Sequence, residues 1–247
     1  MKGEEGTPQR VNKPLIESFK EIYKDVTTDP PLWKSDPNEP YSIRSLNPRN
    51  SEETQIFTDI DRHPEALRNM LPPKKSKPKN IDYLINANQM SKDYKTKKKD
   101  PRQVFGIVDD KNHLVGWVQY YREENLGNLQ EQANIPENAV VLEISYGKLF
   151  SKWPKYTHFK NERTNLPDKE SKGVAISGVK QSLIKLREME KTTSAEIHPE
   201  RPIFVSAYTY PDNIASEKVL LQNGFKKLEK MVNDKIGKPN NVWIKQI

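Results

Sequence analysis

Glu143 stands inside an apolar run, Val140-Val141-Leu142-Glu143-Ile144, and is the residue of this 247-residue chain best placed for proton chemistry. A carboxylate held there suits a general base that takes a proton from an amine, directly or through water. An inward polar residue or an edge-strand ion pair would leave the same pattern. A second group lies at Glu170-Ser171-Lys172-Gly173-Val174-Ala175, just ahead of a helical period. The first amides of a helix lack internal partners and carry positive potential, so small residues at this point suit a phosphate or pyrophosphate. A glycine that only turns the chain is the plainer reading. The third group is Asn213-x-x-Ser216 followed by Gly224-Phe225. Asp212 and Asn213 are also good helix caps.

Other chemistries find little support. The chain has no cysteine, which removes thiolate nucleophiles, disulfides and cysteine-bound metals. His63, His113, His158 and His198 have no ligand-like spacing, and Ser177 lacks the Gly-x-Ser-x-Gly setting of a hydrolase nucleophile. No metal is expected.

The elements that must position these residues are legible in the apolar spacing. Val104 to Val108, the turn Asp109-Asp110-Lys111-Asn112, and Leu114 to Val118 predict a hairpin of buried strands. Ala139 to Tyr146 predicts a further strand bearing Glu143. Ile176, Val179, Leu183 and Leu186 recur at three- and four-residue steps and predict a helix over 174–190. A strand over 203–207, a helix over 213–222 stopped by Asn223-Gly224, and a closing hairpin from Phe225 to Val232 and Asn241 to Ile247 complete a mixed α/β pattern. Upstream, Leu15, Phe19, Ile22 and Tyr23 mark a short amphipathic helix behind a polar lead. Tyr41 to Leu46 alternates like a strand, and 51–71 predicts two short helices interrupted at His63-Pro64.

Only 34% of the residues are hydrophobic, below the ~45–50% typical of globular chains, so part of the length is expected to be tail or loop. The net charge is +7, and 73–102 alone holds ten basic against three acidic residues. The excess is therefore local. It reads as a solvated loop over 72–102, or as a nucleic-acid or ribosome contact through 74–99. The segment 151–169 is polar and aromatic without a period and reads as an insertion. No apolar run approaches the ~18–20 residues that cross a bilayer, and with the absent cysteines this predicts a soluble cytoplasmic protein with no membrane contact.

Taken together, the element order, the glycine turn at Gly173 and Asn213-x-x-Ser216 with Gly224-Phe225 resemble the GNAT-superfamily N-acetyltransferases. The resemblance covers about Gln103 to Ile247, with the Tyr41 strand and the helix after it as first elements. It implies a domain over 37–247 behind a tail and helix over 1–36. The implied fold is a twisted, mostly antiparallel sheet flanked by helices, with an N-terminal helical extension. Acetyl-CoA is then the cosubstrate and a primary amine, on a small molecule or a protein, the acceptor.

The family's phosphate loop reads Gln/Arg-x-x-Gly-x-Gly/Ala, and here Glu170 takes the first place while Lys172 or Lys169 could supply positive charge. By this resemblance, amides of Lys172, Gly173, Val174, Ala175 and Ile176 hold the pyrophosphate. Main-chain groups of Tyr146, Gly147 and Lys148 pair with pantetheine, Asn213 and Ser216 face the cofactor arm, and Glu143 is the base. The family often has a tyrosine acid seven residues after the asparagine; here that residue is Leu220, with Tyr208 or Tyr210 as substitutes or pocket wall. These departures keep a catalytically degenerate acyl-CoA-binding module as the alternative.

Overall fold

The computed structural model describes residues 31–45, 103–123, 126–148, 173–194, 202–233 and 237–247. The expected helices over 14–23 and 51–71, the basic stretch 72–102 and the insertion 151–169 lie outside the described residues, as does Lys172.

Three strands open the described fold: β1 (Ser42–Ser45), β2 (Gln103–Val108) and β3 (Leu114–Arg122). The β2–β3 turn closes because Asp109 Oδ1 accepts from the amides of Lys111 and His113, at 3.0 and 2.7 Å, while Asn112 adopts φ +62°. His113 is thereby a turn residue, with its ring 3.1 Å from Asp109 Oδ2. Helix α1 (Leu126–Ala133) follows, then β4 (Val140–Lys148), α2 (Val174–Ser194), β5 (Ile203–Thr209), α3 (Ile214–Gln222), β6 (Lys226–Lys227), β7 (Val232–Asn233) and β8 (Pro239–Gln246). The strand order is β1-β2-β3-β4-β5-β8-β6, with β7 also on β8. Among the described strands, only β4 and β5 pair in parallel; the other ladders are antiparallel. The mostly antiparallel sheet flanked by helices agrees with the expected class.

Period-two alternation divides the sheet into two faces. Val118, Leu142, Ile144 and Val205 point towards α2 and pack with its Val179, Leu183 and Leu186. Val141, Phe204 and Val242 occupy the other face, with Leu129 of α1 and Ile135. Burying each such side chain contributes roughly 1.5–3 kcal/mol relative to leaving it in water. The residues 140–142 are buried from both sides, which is why β4 begins as a continuous apolar run.

Three details depart from the sequence reading. Helix α1 was not foreseen, because only Leu129 among its described side chains is buried. The strand expected over 225–232 is two short pieces, β6 and β7, joined through an irregular stretch in which Leu228 N–H still reaches Val242 O at 2.8 Å. The inner face of α2 is partly polar: Ser177, Gln181 and Ser182 are buried there, and Ile176 is only half-buried. Each buried group has partners. Gln181 Nε2 donates to Tyr41 O at 2.8 Å, and Ser182 Oγ lies 2.7 Å from the Tyr120 hydroxyl. Burial pushes the Tyr120 phenol pKa upward despite that hydrogen bond.

Two glycines seat α2 on the sheet. A Cβ at Gly116 of β3 would stand 2.9 Å from Val174 Cγ1 and 2.8 Å from Gly147 O. A Cβ at Gly178 of α2 would stand 2.1 Å from Ile107 Cδ1. Their missing side chains let the first turns of the helix lie directly on β2 and β3.

Candidate active site

The site is organised by the parting of two strands. The parallel ladder pairs Val140 with Ile203 and ends at Glu143 with Ser206. Beyond it, β4 continues against β3 as far as Lys148 opposite Gly116, and β5 continues against β8 as far as Thr209 opposite Asn241. From Ile144 and Ala207 onward, each strand keeps its ladder with its other neighbour and the two no longer pair with one another. Tyr146, Gly147 and Lys148 lie on that stretch of β4, half-buried. Gly147 is tight against the indole of Trp117, 2.8 Å from the position a Cβ would take.

The last rung of the ladder carries the carboxylate. Glu143 is half-buried on the α1 face, and the hydroxyl of Tyr121, its register partner on β3, donates to Glu143 Oε1. Its partner on the other side, Ser206, donates through Oγ to a second carboxylate, Glu123. The Tyr208 hydroxyl donates to Glu123 Oε1 at 3.0 Å. Glu123 is 5% exposed and lies one residue past β3, in phase with Gln119 and Tyr121. Sequence reasoning missed it because Glu123-Glu124-Asn125 reads as a charged loop; its phase with Tyr121 was the available signal.

The start of α2 borders the same gap. Gly173 has φ +81°, a conformation that costs an L side chain roughly 1–2 kcal/mol, and a Cβ there would meet nothing within 4 Å. Its requirement is therefore one of backbone conformation. Ser177 N–H donates to Gly173 O at 2.8 Å, so the amides of Val174, Ala175 and Ile176 precede the first helical hydrogen bond. Val174 is buried against β3, while Ala175 and Ile176 are half-buried.

Beside this turn, Glu39 Oε2 accepts from Ser177 Oγ at 2.7 Å and Oε1 accepts from Lys180 Nζ. Burial would raise the Glu39 pKa, but the hydrogen bonds from Lys180 and Ser177 and the Lys180 charge outweigh it, leaving the carboxyl below its ordinary value of 4.5. A group with a depressed folded pKa stabilises the fold above its unfolded value and loses that contribution as pH falls through the folded one. Glu39→Gln is therefore expected to flatten the decline of stability below about pH 4.5, read by urea titrations at stepped pH. An unchanged acid slope would remove Glu39 from that role.

Helix α3 forms the outer wall. Asn213 is its cap, with Oδ1 accepting from Ser216 N–H at 3.2 Å. The Ser216 carbonyl accepts from the Tyr146 hydroxyl at 3.0 Å, which ties β4 to α3 beyond the last rung. Burial raises the Tyr146 pKa and keeps its phenol protonated at neutral pH. Leu220 is fully buried in the core. Tyr210 lies under Lys238 Nζ, 5.5 Å from the ring centroid, whereas Tyr208 turns to Glu123. At the far end of α3, Asn223 Nδ2 donates to Ile176 O at 3.2 Å and joins the helix to the first turn of α2.

A glycine turn into α2, a single parallel pair at the centre of an antiparallel sheet, and the parting of that pair at a carboxylate decide the architecture. The chain has the GNAT fold. No protein-family model and no curated protein sequence matches it. Among solved structures, the chain is similar to an uncharacterised protein of Bacillus halodurans, at 10% identity and a TM-score of 0.50 over 87% of this chain and 89% of that one. Mycobacterium smegmatis RimJ in complex with CoA-disulfide matches at 14% identity and a TM-score of 0.48, over 83% of this chain and 81% of that one. Aminoglycoside acetyltransferase AAC(6')-Ib in complex with coenzyme A and kanamycin matches at 12% identity and 0.48, over 83% and 94%. At these identities the likeness is one of fold. Among the described residues, no group of three or more His, Asp or Glu side chains is arranged to hold a metal ion, and no helix is long and apolar enough to cross a membrane.

Proposed function

We propose that this GNAT-fold protein transfers an acetyl group from acetyl-CoA to a primary amine by direct attack. The observation that carries the reading is the end of the β4–β5 ladder at Glu143, which puts two parting strand edges and a carboxylate at one point. The edges suit the amides of a pantetheine arm, which would pair as an added strand. The pyrophosphate fits the amides of Gly173, Val174, Ala175 and Ile176, where Ala175 keeps the approach small. Asn213 and Ser216 lie on the wall beside the arm, with Tyr146, Gly147 and Lys148 along its other side. Lys172 would add positive charge next to the cradle.

In the reaction, the amine lone pair forms the bond to the acyl carbon and the carbon–sulfur bond breaks, leaving its electron pair on sulfur. A lysine-like amine with pKa ~10.4 arrives mostly protonated at neutral pH; Glu143, directly or through water, takes the ammonium proton so that the lone pair is free, and the second proton, lost as the tetrahedral adduct collapses to the amide, goes to the departing thiolate or to solvent. A β4 amide in the gap would stabilise the oxyanion. The thiolate, from a thiol of pKa ~8.5, is a tolerable leaving group, consistent with a core leucine at 220.

Leu220 also favours the second reading, a binder without turnover. Two measurements separate them. Acetyl-CoA at about 100 times its dissociation constant is expected to add about 2.7 kcal/mol of apparent stability under either reading. Free thiol released on adding spermidine, kanamycin or Nα-acetyl-lysinamide then marks an enzyme, and its absence with every amine marks the binder. No stabilisation by acetyl-CoA or CoA removes both.

A further inference from the structure

Helix α3 is fastened at both ends to the elements that flank the parted strands. At its start, the Tyr146 hydroxyl of β4 donates to Ser216 O at 3.0 Å, while Ser216 N–H donates to Asn213 Oδ1 at 3.2 Å. At its far end, Asn223 Nδ2 donates to Ile176 O in the first turn of α2 at 3.2 Å. Ser216 and Asn223 are seven residues apart, roughly 10 Å along a helix that rises 1.5 Å per residue. The two ties are therefore well separated. One is at the cradle and the other is at the end of β4.

Tyr146 stands three residues past Glu143, where the β4–β5 ladder ends, and packs with the core cluster shared by α2. A main-chain rung at this level would draw β4 and β5 to the ~4.8 Å spacing of paired strands. A phenol is a longer link. Its ring is rigid and turns about only two bonds, and its polar tip is fixed on the helix that follows β5. The link joins the two sides without closing them.

We infer that Tyr146 is a positioning residue of the donor site: its hydroxyl on Ser216 O fixes the spacing of β4 and α3 to admit a pantetheine arm before acetyl-CoA arrives. This assignment rests on the acetyl-CoA reading above. A site held ready has less freedom to lose when its ligand enters, so the tie adds affinity only for ligands that carry the arm. The diphosphate belongs to the cradle, at the other tie.

The test compares CoA with adenosine 3'-phosphate 5'-diphosphate, which is CoA without its pantetheine arm, by calorimetry on the wild type, Tyr146→Phe and Asn223→Ala. Phenylalanine keeps the ring and removes one donor, and the Ser216 carbonyl remains inside α3, so no buried acceptor is stranded. Tyr146→Phe is expected to weaken CoA about five- to tenfold and to leave the nucleotide at its wild-type Kd, which also shows that the variant is folded. Tyr146→Met, which fills the space without a donor, should give the same pattern and takes its place if Tyr146→Phe does not fold. Asn223→Ala should weaken both ligands by one common factor. Wild-type or tighter CoA binding by the Tyr146 variants, equal losses on both ligands, or the arm-specific pattern in Asn223→Ala as well, overturns the assignment and leaves the acetyl-CoA reading intact. No CoA binding by the wild type overturns both.

Discussion

Glu143→Gln is expected to slow acetyl transfer at pH 7 by about 10²–10⁴-fold, the range that a positioned general base supplies, with the affinity for CoA unchanged. Glutamine keeps the shape and can still accept from the Tyr121 hydroxyl, so the register of β3 on β4 should hold. What it loses is the capacity to take a proton. The deficit should shrink as pH rises towards the amine pKa of ~10.4, because more of the acceptor then arrives already deprotonated. Initial rates of thiol release at pH 7 and pH 9.5, with the same amine for both proteins, read this directly. Equal rates at pH 7 would mark Glu143 as an inward polar residue and remove it from the chemistry.

Gly178→Val is expected to destabilise the protein by about 2–3 kcal/mol. A Cβ at this position falls 2.1 Å from Ile107 Cδ1 and 2.6 Å from Cγ1, and Ile107 is fully buried. Overpacking of this kind costs roughly 1–3 kcal/mol, only partly offset by the better helix propensity of valine. In a chain of this size that corresponds to a fall in Tm of about 5–10 °C. Lifting α2 also moves the amides of Val174 to Ile176, so acetyl-CoA should bind more weakly than to the wild type. Ile107→Ala alone should be destabilising, yet in the Gly178→Val background it should restore part of the loss because it makes the missing room. Strict additivity in urea titrations would show that this contact is not the cause.

The parts of the fold that could be read from the sequence are those in which one residue decides one local outcome. Asp109 closes the first hairpin, Asn213 caps α3, and Gly224, at φ +74°, stops it; each acts within a few residues of itself. Apolar runs such as 140–142 and 203–205 announce strands buried on both faces. Helix α1 escaped because its burial depends on Phe204 and Val242 from distant strands and not on a stripe of its own. The polar inner face of α2 escaped for a related reason: Ser177 and Gln181 are satisfied by Glu39 and Tyr41, more than a hundred residues away. Within the site, the cradle glycine and Glu143 announce themselves by type and setting. Glu123 does not, because its significance comes from Ser206 and Tyr208, which only the sheet brings to it.

The parallel ladder has a mechanical consequence. Only four residue pairs join the plate β1–β4 to the plate formed by β5, β8 and β6, so the sheet is a book bound along half its spine. A molecule wedged between the open pages completes the binding and stiffens both covers at once. Amide hydrogen exchange should therefore slow on β2 and β8, well away from any atom the guest touches.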